Sequence, residues 1–470
     1  MPVGRTGLVA APQVFESVVD AIGHTPLVRL NRVTAAGGAA VYAKLESTNP
    51  GGSVKDRIAL SMVRAAEASG ELRPGGTIVE GTSGNTGIGL ALVAAGLGYR
   101  TVVVVPDKTS REKIAILRAL GAEVRVTPGG RPTHHPEHVR NLAARIAAET
   151  PGGWLAGQYD NPANPEAHYR TTGPEIWKQT GGRVTHFVAG IGTGGTVSGT
   201  GRYLSEVSEG RVQVIGADPE HSVYGGGDGR AYYIEAVGHF RHPETVEDEW
   251  PQSYDPEVLS RIERVGDAEA FAVIARLARE EGLLVGGSAG VSVAAALRVA
   301  AELSPDDVVV VIVPDSGRSY LSKYFDEDWV GRLGFDVGAP AAETVGAESW
   351  SGTVGFVPST ATVAEALEIL GDAAALPVVL ARPGSTEVVV AEILGAAVLS
   401  TLTAAPQGDL VTAHLDPPLP VVGIRETRTA AAARLADDPR PVLLADNGVI
   451  TAILDRSMEE GVEWAFSRSA

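Results

Sequence analysis

No cysteine occurs among the 470 residues. Disulfides, thiolate ligation of zinc or iron–sulfur clusters, a cysteine nucleophile and a cysteinate haem ligand are therefore excluded. Cations are scarce as well: 39 Lys and Arg stand against 57 Asp and Glu, for a formal charge of −18. Such a chain offers no footprint for nucleic acid or an anionic membrane, which are bound through clustered Lys and Arg. Apolar runs long enough to span a bilayer are also missing. Gly87–Pro106 is broken by Tyr99 and Arg100, and Val388–Ala405 carries Glu392; both read as helix–strand or strand–helix pairs. The opening Met-Pro-Val-Gly-Arg-Thr-Gly lacks the basic region, apolar run and small-residue site of a secretory signal, so a cytoplasmic protein is expected. What the chain does have is 44 % hydrophobic residues, ample for about three folding units of roughly 150 residues each.

From about residue 10 to 335, β-branched runs alternate with Ala-rich stretches of helical period. Ile78-Val79, Thr101–Val105, His186–Ala189, Val212–Ala217 and Val308–Val313 are apolar at nearly every position, the mark of strands buried on both faces. Arg111–Leu120 and Glu269–Glu281 repeat apolar residues at helical spacing. This alternation predicts an α/β fold with parallel sheets, and places ligands at the carboxyl ends of the strands. The pattern breaks between Gly331 and Ser351, and the remainder of the chain is internally duplicated. A helix over Thr360–Leu370, Leu376-Pro-Val-Val-Leu380, a Pro383-Gly384 turn and Val388–Ile393 are matched by a helix around Ala430–Ala436, Pro441-Val-Leu-Leu444, an Asn447-Gly448 turn and Val449–Leu454. Two such units are expected to pack face to face.

Four loops carry chemistry. In Asn49-Pro-Gly-Gly-Ser-Val-Lys55-Asp-Arg57, Lys55 follows a glycine turn at a helix start. The helix dipole there lowers its pKa and favours a neutral amine able to form a Schiff base; the plain alternative is an exposed lysine. Gly81-Thr82-Ser83-Gly-Asn85-Thr86-Gly87 lies between a predicted strand and a helix, where hydroxyls and free N–H groups make an anion cradle suited to a carboxylate, or simply a capped helix. Gly190-Ile-Gly192-Thr193-Gly194-Gly195-Thr196 is a turn suited to backbone contact with a phosphate. It also contains G-x-G-x-x-G, with Asp218 ending the next strand, so a dinucleotide-dependent oxidoreductase is a further reading; that motif normally follows the first strand. Gly286-Gly-Ser288-Ala-Gly290 by itself is a turn with a helix start.

Together with Gly23-His-Thr-Pro-Leu-Val-Arg-Leu-Asn31, Pro106-Asp-Lys108, Leu117-Arg-Ala-Leu-Gly-Ala-Glu123, Gln158-Tyr159-Asp-Asn-Pro-Ala-Asn164 and Pro314-Asp-Ser316, these loops resemble the β-family (fold type II) of pyridoxal-phosphate enzymes over residues 15 to about 325. Within it the resemblance is to the cysteine synthase/cystathionine β-synthase family. It implies a two-lobed parallel-sheet core over 1–335 with pyridoxal 5′-phosphate as cofactor. Lys55 is then the Schiff-base lysine and Asn85 the partner of the cofactor's 3′-oxygen. Gly192, Thr193, Gly194, Gly195 and Thr196 form the phosphate cradle, and Ser288 faces the pyridine nitrogen, where a neutral hydroxyl moderates the electron sink. Thr82, Ser83, Thr86, Gln158 and Tyr159 hold the substrate, with Glu235 serving a larger second substrate. The implied reaction is β-replacement of the serine hydroxyl by homocysteine, giving cystathionine and water; the alternatives are cysteine synthesis from O-acetylserine and sulfide, and a catalytically silent ligand sensor. A homodimer or homotetramer is expected.

The chain departs from that family in three places. Glu235-Ala236-Val237-Gly238-His239-Phe240 stands where the family has Glu-Gly-hydrophobic-Gly and then an acidic or aromatic residue, so His239 is a candidate to orient a substrate group, or part of a solvated loop. There is no haem motif. His134, His135 and His138 sit among loop residues and are not expected to bind metal. After a 336–350 linker, residues 351–470 resemble a tandem CBS-domain (Bateman) module, which implies an adenosyl ligand. Its usual Thr-then-Asp pattern is displaced here: Asp455 comes one position late after Thr451, and Ala391–Gly395 has no Asp. A role in association or stability is the alternative.

Overall fold

The computed structural model describes residues 14–454 apart from 83, 246–247, 337, 339–343, 347–353 and 436–437. Ten strands build the first two sheets: β1 (Leu27–Arg29), β2 (Ala40–Leu45), β3 (Thr77–Gly81), β4 (Arg100–Pro106), β5 (Glu123–Thr127), β6 (Gly153–Leu155), β7 (His186–Gly190), β8 (Gln213–Pro219), β9 (Arg261–Val265) and β10 (Val308–Val313). The larger sheet runs β1-β2-β10-β7-β8-β9, with β1 antiparallel and the rest parallel. The smaller sheet, β5-β4-β3-β6, is parallel throughout. These are the two predicted lobes, and the buried-strand reading holds: all five residues of β3, and five of six in β10, are buried.

The helix Lys55–Ser69 shows how sequence sets local structure. The Ser53 hydroxyl accepts its first N–H at 3.2 Å, and Gly70, at φ 79°, closes it in the left-handed conformation that glycine adopts without strain. Between the ends, Ile58, Ala59, Met62, Val63 and Ala66 form one buried stripe packed with Leu90 and Val93 of the helix Asn85–Leu97. Burying side chains as large as Ile58 or Met62 stabilises by about 1.5–3 kcal/mol each. Lys55, the first residue of that helix, is thereby fixed on the small lobe's side of the cleft.

Loops at the carboxyl ends of β3, β6, β7 and β10 converge between the lobes, the expected ligand position in such sheets. A buried ionic cluster joins them from behind. Arg57 donates Nε to Glu46 Oε2 at 2.7 Å and Nη1 to Glu175 Oε1 at 2.8 Å, while Lys44 Nζ donates to Glu175 Oε2 at 2.6 Å. Thr25 and Asn49 donate to the two Glu46 oxygens at 2.7 and 2.8 Å. Burial opposes ionisation of Glu175, but Arg57 and Lys44 outweigh it and hold the carboxyl at about 2.

Beyond Gly334 the predicted duplication is visible as strand–helix–strand–strand twice. The first copy comprises β11 (Val357–Pro358), the helix Val363–Leu370, β12 (Ala375–Val379) and, after β13 (Val388–Val389), β14 (Ile393–Val398). The second comprises β15 (Val421–Gly423), the helix Arg428–Leu435, β16 (Val442–Asp446) and β17 (Val449–Leu454). The hairpin around Asn447-Gly448 forms as expected. The Pro383-Gly384 turn forms too, within the connection between the antiparallel strands β12 and β14, but β13 crosses to pair with β17 in the other sheet. Ala375, Val379, Leu443, Ala445 and Ile450 share one core, so the two units do pack together. Most of the expected linker, and Asp455, lie outside the described residues.

Candidate active site

Two adjoining cavities meet at Lys55. The narrower is lined by Lys55, Gly192, Thr193, Gly194, Thr196 and Ser288. The wider, of about 1430 Å³, is lined among others by Lys55, Thr82, Asn85, Thr86, Gln158, Tyr159 and Glu235. Of the residues singled out from sequence, Ser83 lies outside the described set. Gly195 lines neither cavity; a Cβ there would fall 2.0 Å from Asn164 Oδ1, so close packing accounts for this glycine.

On the small-lobe side, the Thr86 hydroxyl donates to Gln158 Oε1 at 2.6 Å and Thr82 Oγ1 accepts the Gly84 N–H at 3.2 Å. Asn85 Nδ2 donates to Asp315 Oδ2 at 2.7 Å, as does the Tyr320 hydroxyl at 2.6 Å. Burial lowers Lys55 to about 8 against the pull of the Asp315 charge. At the start of the helix Gly195–Val207, Thr193 Oγ1 accepts from Asn164, and Thr196 Oγ1 bonds His168 Nε2. Gly194, at φ 84°, lies where a Cβ would stand 2.3 Å from that of Tyr254; only glycine fits. Ser288, 2 % exposed, has a hydroxyl with no hydrogen-bond partner among the described residues.

Glu235 is not a free carboxylate. Lys113 approaches it at 3.3 Å and Lys323 on the other oxygen; burial would raise its pKa, but the two ammonium charges outweigh that and lower it. Lys113 also lies 4.3 Å from the centre of the Tyr320 ring. His239 is not a substrate group: it lines neither cavity, bonds Asp248 at 2.7 Å and packs on Tyr224. The dinucleotide reading fails for a similar reason. Asp218 is fully buried and accepts the Gly225 N–H, and the glycine turn follows β7 rather than a first strand.

Ala236 is held at φ 66°, a conformation that costs a non-glycine residue about 1–2 kcal/mol. Ala236→Gly should therefore raise stability by about 1 kcal/mol, read as an increased midpoint in denaturant; an unchanged or lowered midpoint would contradict the strain. The loop bearing Glu235 and Ala236 is gripped by the C-terminal part. Arg382 donates to the carbonyls of Gly229 and Arg241 and to Glu392, Glu392 accepts the Ala231 N–H at 3.0 Å, and Arg230 pairs with Glu387 at 2.6 Å.

Residues 18–315 match the family described as pyridoxal-phosphate dependent enzyme. The chain belongs to that family. The resemblance seen in the four loops is thus borne out. Over 330 residues it is 42 % identical to a cystathionine β-synthase of Apis mellifera, covering 69 % of this chain and 64 % of that protein. It is 43 % identical to cysteine synthase B of Pseudomonas aeruginosa, covering 66 % of this chain and 96 % of that one. A solved O-acetylserine dependent cystathionine β-synthase from Helicobacter pylori superposes with a TM-score of 0.61 at 39 % identity, covering 66 % of this chain and 99 % of that one. This member of the pyridoxal-phosphate family thus spans somewhat under two thirds of the length of the Apis relative.

The cofactor demands an amine, an anion cradle and a group at its ring nitrogen, and the narrow cavity offers all three: Lys55, the glycine turn before a helix, and the orphaned Ser288 hydroxyl. Sequence reasoning missed Asp315, Glu46, Glu175 and Lys113. Asp315 was visible only as a letter in Pro314-Asp-Ser316. Among the described residues no helix is long and apolar enough to cross a membrane.

Proposed function

We propose that this protein catalyses β-replacement on serine, exchanging the hydroxyl for the thiol of homocysteine to give cystathionine and water. Lys55 carries the cofactor, Asn85 meets its 3′-oxygen, Gly192–Thr196 hold its phosphate and Ser288 its ring nitrogen. When bound, pyridoxal phosphate draws electrons from the substrate's α-carbon and so permits loss of the β-substituent. Thr82, Ser83, Thr86 and Gln158 bind the substrate carboxylate, with Tyr159 beside them. Lys55, whose lowered pKa of about 8 makes part of its population neutral near physiological pH, would take the α-proton and pass it to the departing oxygen, steps worth about 10²–10⁴-fold. The Cβ–O bond breaks and the hydroxyl leaves as water with the proton from Lys55; when the Cβ–S bond forms, the thiol proton is taken up by Lys55 and returned to the α-carbon.

The observation that carries this reading over cysteine synthesis is the size and lining of the wide cavity. The cavity of about 1430 Å³ must also hold the cofactor and reaches Leu380, Ile393 and Arg434 of the C-terminal part; beyond Lys55 its wall bears Lys108, Arg111, Lys323 and Glu235. A sulfide ion needs neither the room nor the charges; a second amino acid uses both. Lys113 and Lys323 occupy Glu235, which leaves Lys108 and Arg111 to meet the second substrate's carboxylate on a wall that also bears Asp107, Asp326 and Asp328.

Likeness to an O-acetylserine dependent enzyme keeps the leaving group open to test. Serine and O-acetylserine, each paired with homocysteine and with sulfide, should give cystathionine whenever homocysteine is present, identified by product mass. Cysteine as the sole product would replace this reading with cysteine synthesis, and no turnover by the cofactor-loaded protein would favour a ligand sensor. We further propose a catalytic core over 1–335, a 336–350 linker and a CBS-type pair over 351–470, supported by the repeated strand–helix–strand–strand unit, in a homodimer or homotetramer. With Asp displaced from its usual place, association and support of the Glu235 loop suit the pair better than an adenosyl ligand.

A further inference from the structure

Asp315 lies just past the carboxyl end of β10 and is 1 % exposed. It lines neither of the cavities that meet at Lys55, so any influence it has on a bound molecule runs through a neighbour. Its segment nevertheless ties together two of the loops that line them. The Val54 N–H donates to the Pro314 carbonyl at 2.8 Å, and the Gly286 N–H to that of Asp315 at 3.3 Å. Ser53 pairs with Asp315 and Val285 with Ser316, which joins this segment to the Lys55 loop on one side and the Ser288 loop on the other. The side chain is held as firmly as the backbone: a Cβ at Gly286 would fall 2.0 Å from Asp315 Oδ1.

A carboxylate buried this deeply is costly unless it is paired or hydrogen-bonded. Here both hydrogen bonds fall on one oxygen. Asn85 Nδ2 and the Tyr320 hydroxyl donate to Oδ2 at 2.7 and 2.6 Å, while Oδ1 has no partner among the described residues. Two donors on one oxygen mark it as an acceptor, and an acceptor meets the Asn85 amide only through its nitrogen. The flipped amide, which would set oxygen against oxygen, is thereby excluded. That nitrogen carries two N–H groups. One is committed to Asp315; the other has no partner among the described residues, and Asn85 lines the wide cavity together with Lys55.

We propose that Asp315 is a positioning residue, which fixes the Asn85 amide so that its second N–H is presented to the 3′-oxygen of the cofactor. The inference rests on the reading of Lys55 and Asn85 as cofactor groups, and not on which thiol serves as second substrate. An N–H aimed at that oxygen stabilises its ionised form. With the amide turned over, the carbonyl oxygen would oppose the same charge.

The test uses the full chain loaded with pyridoxal phosphate, without substrate, and reads the absorbance of the bound cofactor. Asp315→Ala should retain the cofactor, because Lys55 and the phosphate cradle are untouched. The ratio of its visible band to the near-ultraviolet band of the form with a protonated 3′-oxygen should fall about tenfold or more, the worth of a hydrogen bond to a charged group. In an Asn85→Ala background D315A should add no further change, an outcome that loss of a merely structural carboxylate does not produce. Where D315A holds no cofactor, Asp315→Ser, whose oxygen stops short of Asn85, takes its place in the same cycle. An unchanged band ratio, an equal fall with and without Asn85, or loss of cofactor from both variants would overturn the inference alone. A wild-type protein that acquires no visible band would overturn the cofactor groups beneath the proposed function as well. Absence of turnover with serine and homocysteine, while the band ratios behave as expected, would overturn the proposed function and leave the role of Asp315 standing.

Discussion

Lys55→Ala should leave a folded protein that acquires no visible absorption from pyridoxal phosphate and has lost β-replacement by ~10³-fold or more. Lys55 borders both cavities, and among the described residues no other amine lines the narrow one. Lys108 and Lys323 belong to the wide cavity, where Lys323 is bound by Glu235, so neither substitutes for it. The companion variant Lys55→Arg keeps a cation but never becomes neutral near neutral pH, and should be equally inactive. Because the lost group is an amine at the rim of a helix and not part of its buried stripe, thermal stability of the cofactor-free proteins should match. Retained colour and turnover in K55A would remove the basis of the proposed chemistry.

Arg57→Ala should act in the opposite manner, on stability first. Arg57 binds Glu46 and Glu175, both largely withdrawn from water, and removing one member of a buried ionic group costs about 3–5 kcal/mol because the partner charges are left uncompensated. Removing charge from both sides, as in Arg57→Met with Glu46→Gln, should cost less than R57A alone. The pH dependence has a definite sign. Glu175 is held at about 2 in the folded protein, below its unfolded value of about 4.3, so its contribution is present above pH 4.3 and is lost as pH falls toward 2. Unfolding midpoints measured between pH 3 and 7 should therefore drop steeply at the acid end in the wild type and less so in R57A. Equal slopes would show that the cluster is not what acid attacks.

The contrast between these residues explains what the sequence discloses. Lys55, the glycine turn and the hydroxyl loop stand within short motifs whose local geometry follows from neighbours a few positions away, so their convergence could be read before the fold. Arg57 and Glu175 meet across 118 positions, and Asn85 and Asp315 across 230. No local pattern marks such a pair. Val388-Val389 reads as the start of a strand that continues to Ile393; the chain instead turns at Val390–Glu392, where Glu392 is needed by Arg382 and Ala231. His239 shows the converse error, a polar side chain beside a family motif that is engaged by Asp248 and Tyr224.

The pairing order of the sheets also sets a timetable for the ribosome. The small parallel sheet is complete once residue 155 has emerged, and its helices Lys55–Ser69 and Asn85–Leu97 precede that point. β2, by contrast, lies between β1 and β10, so one edge of it waits until Val308–Val313 has been synthesised. Val388 likewise waits for Ile450. A nascent chain therefore carries a finished small lobe beside an open apolar strand edge from residue 155 until residue 308, and that edge is where chaperone binding or misassembly during translation should concentrate.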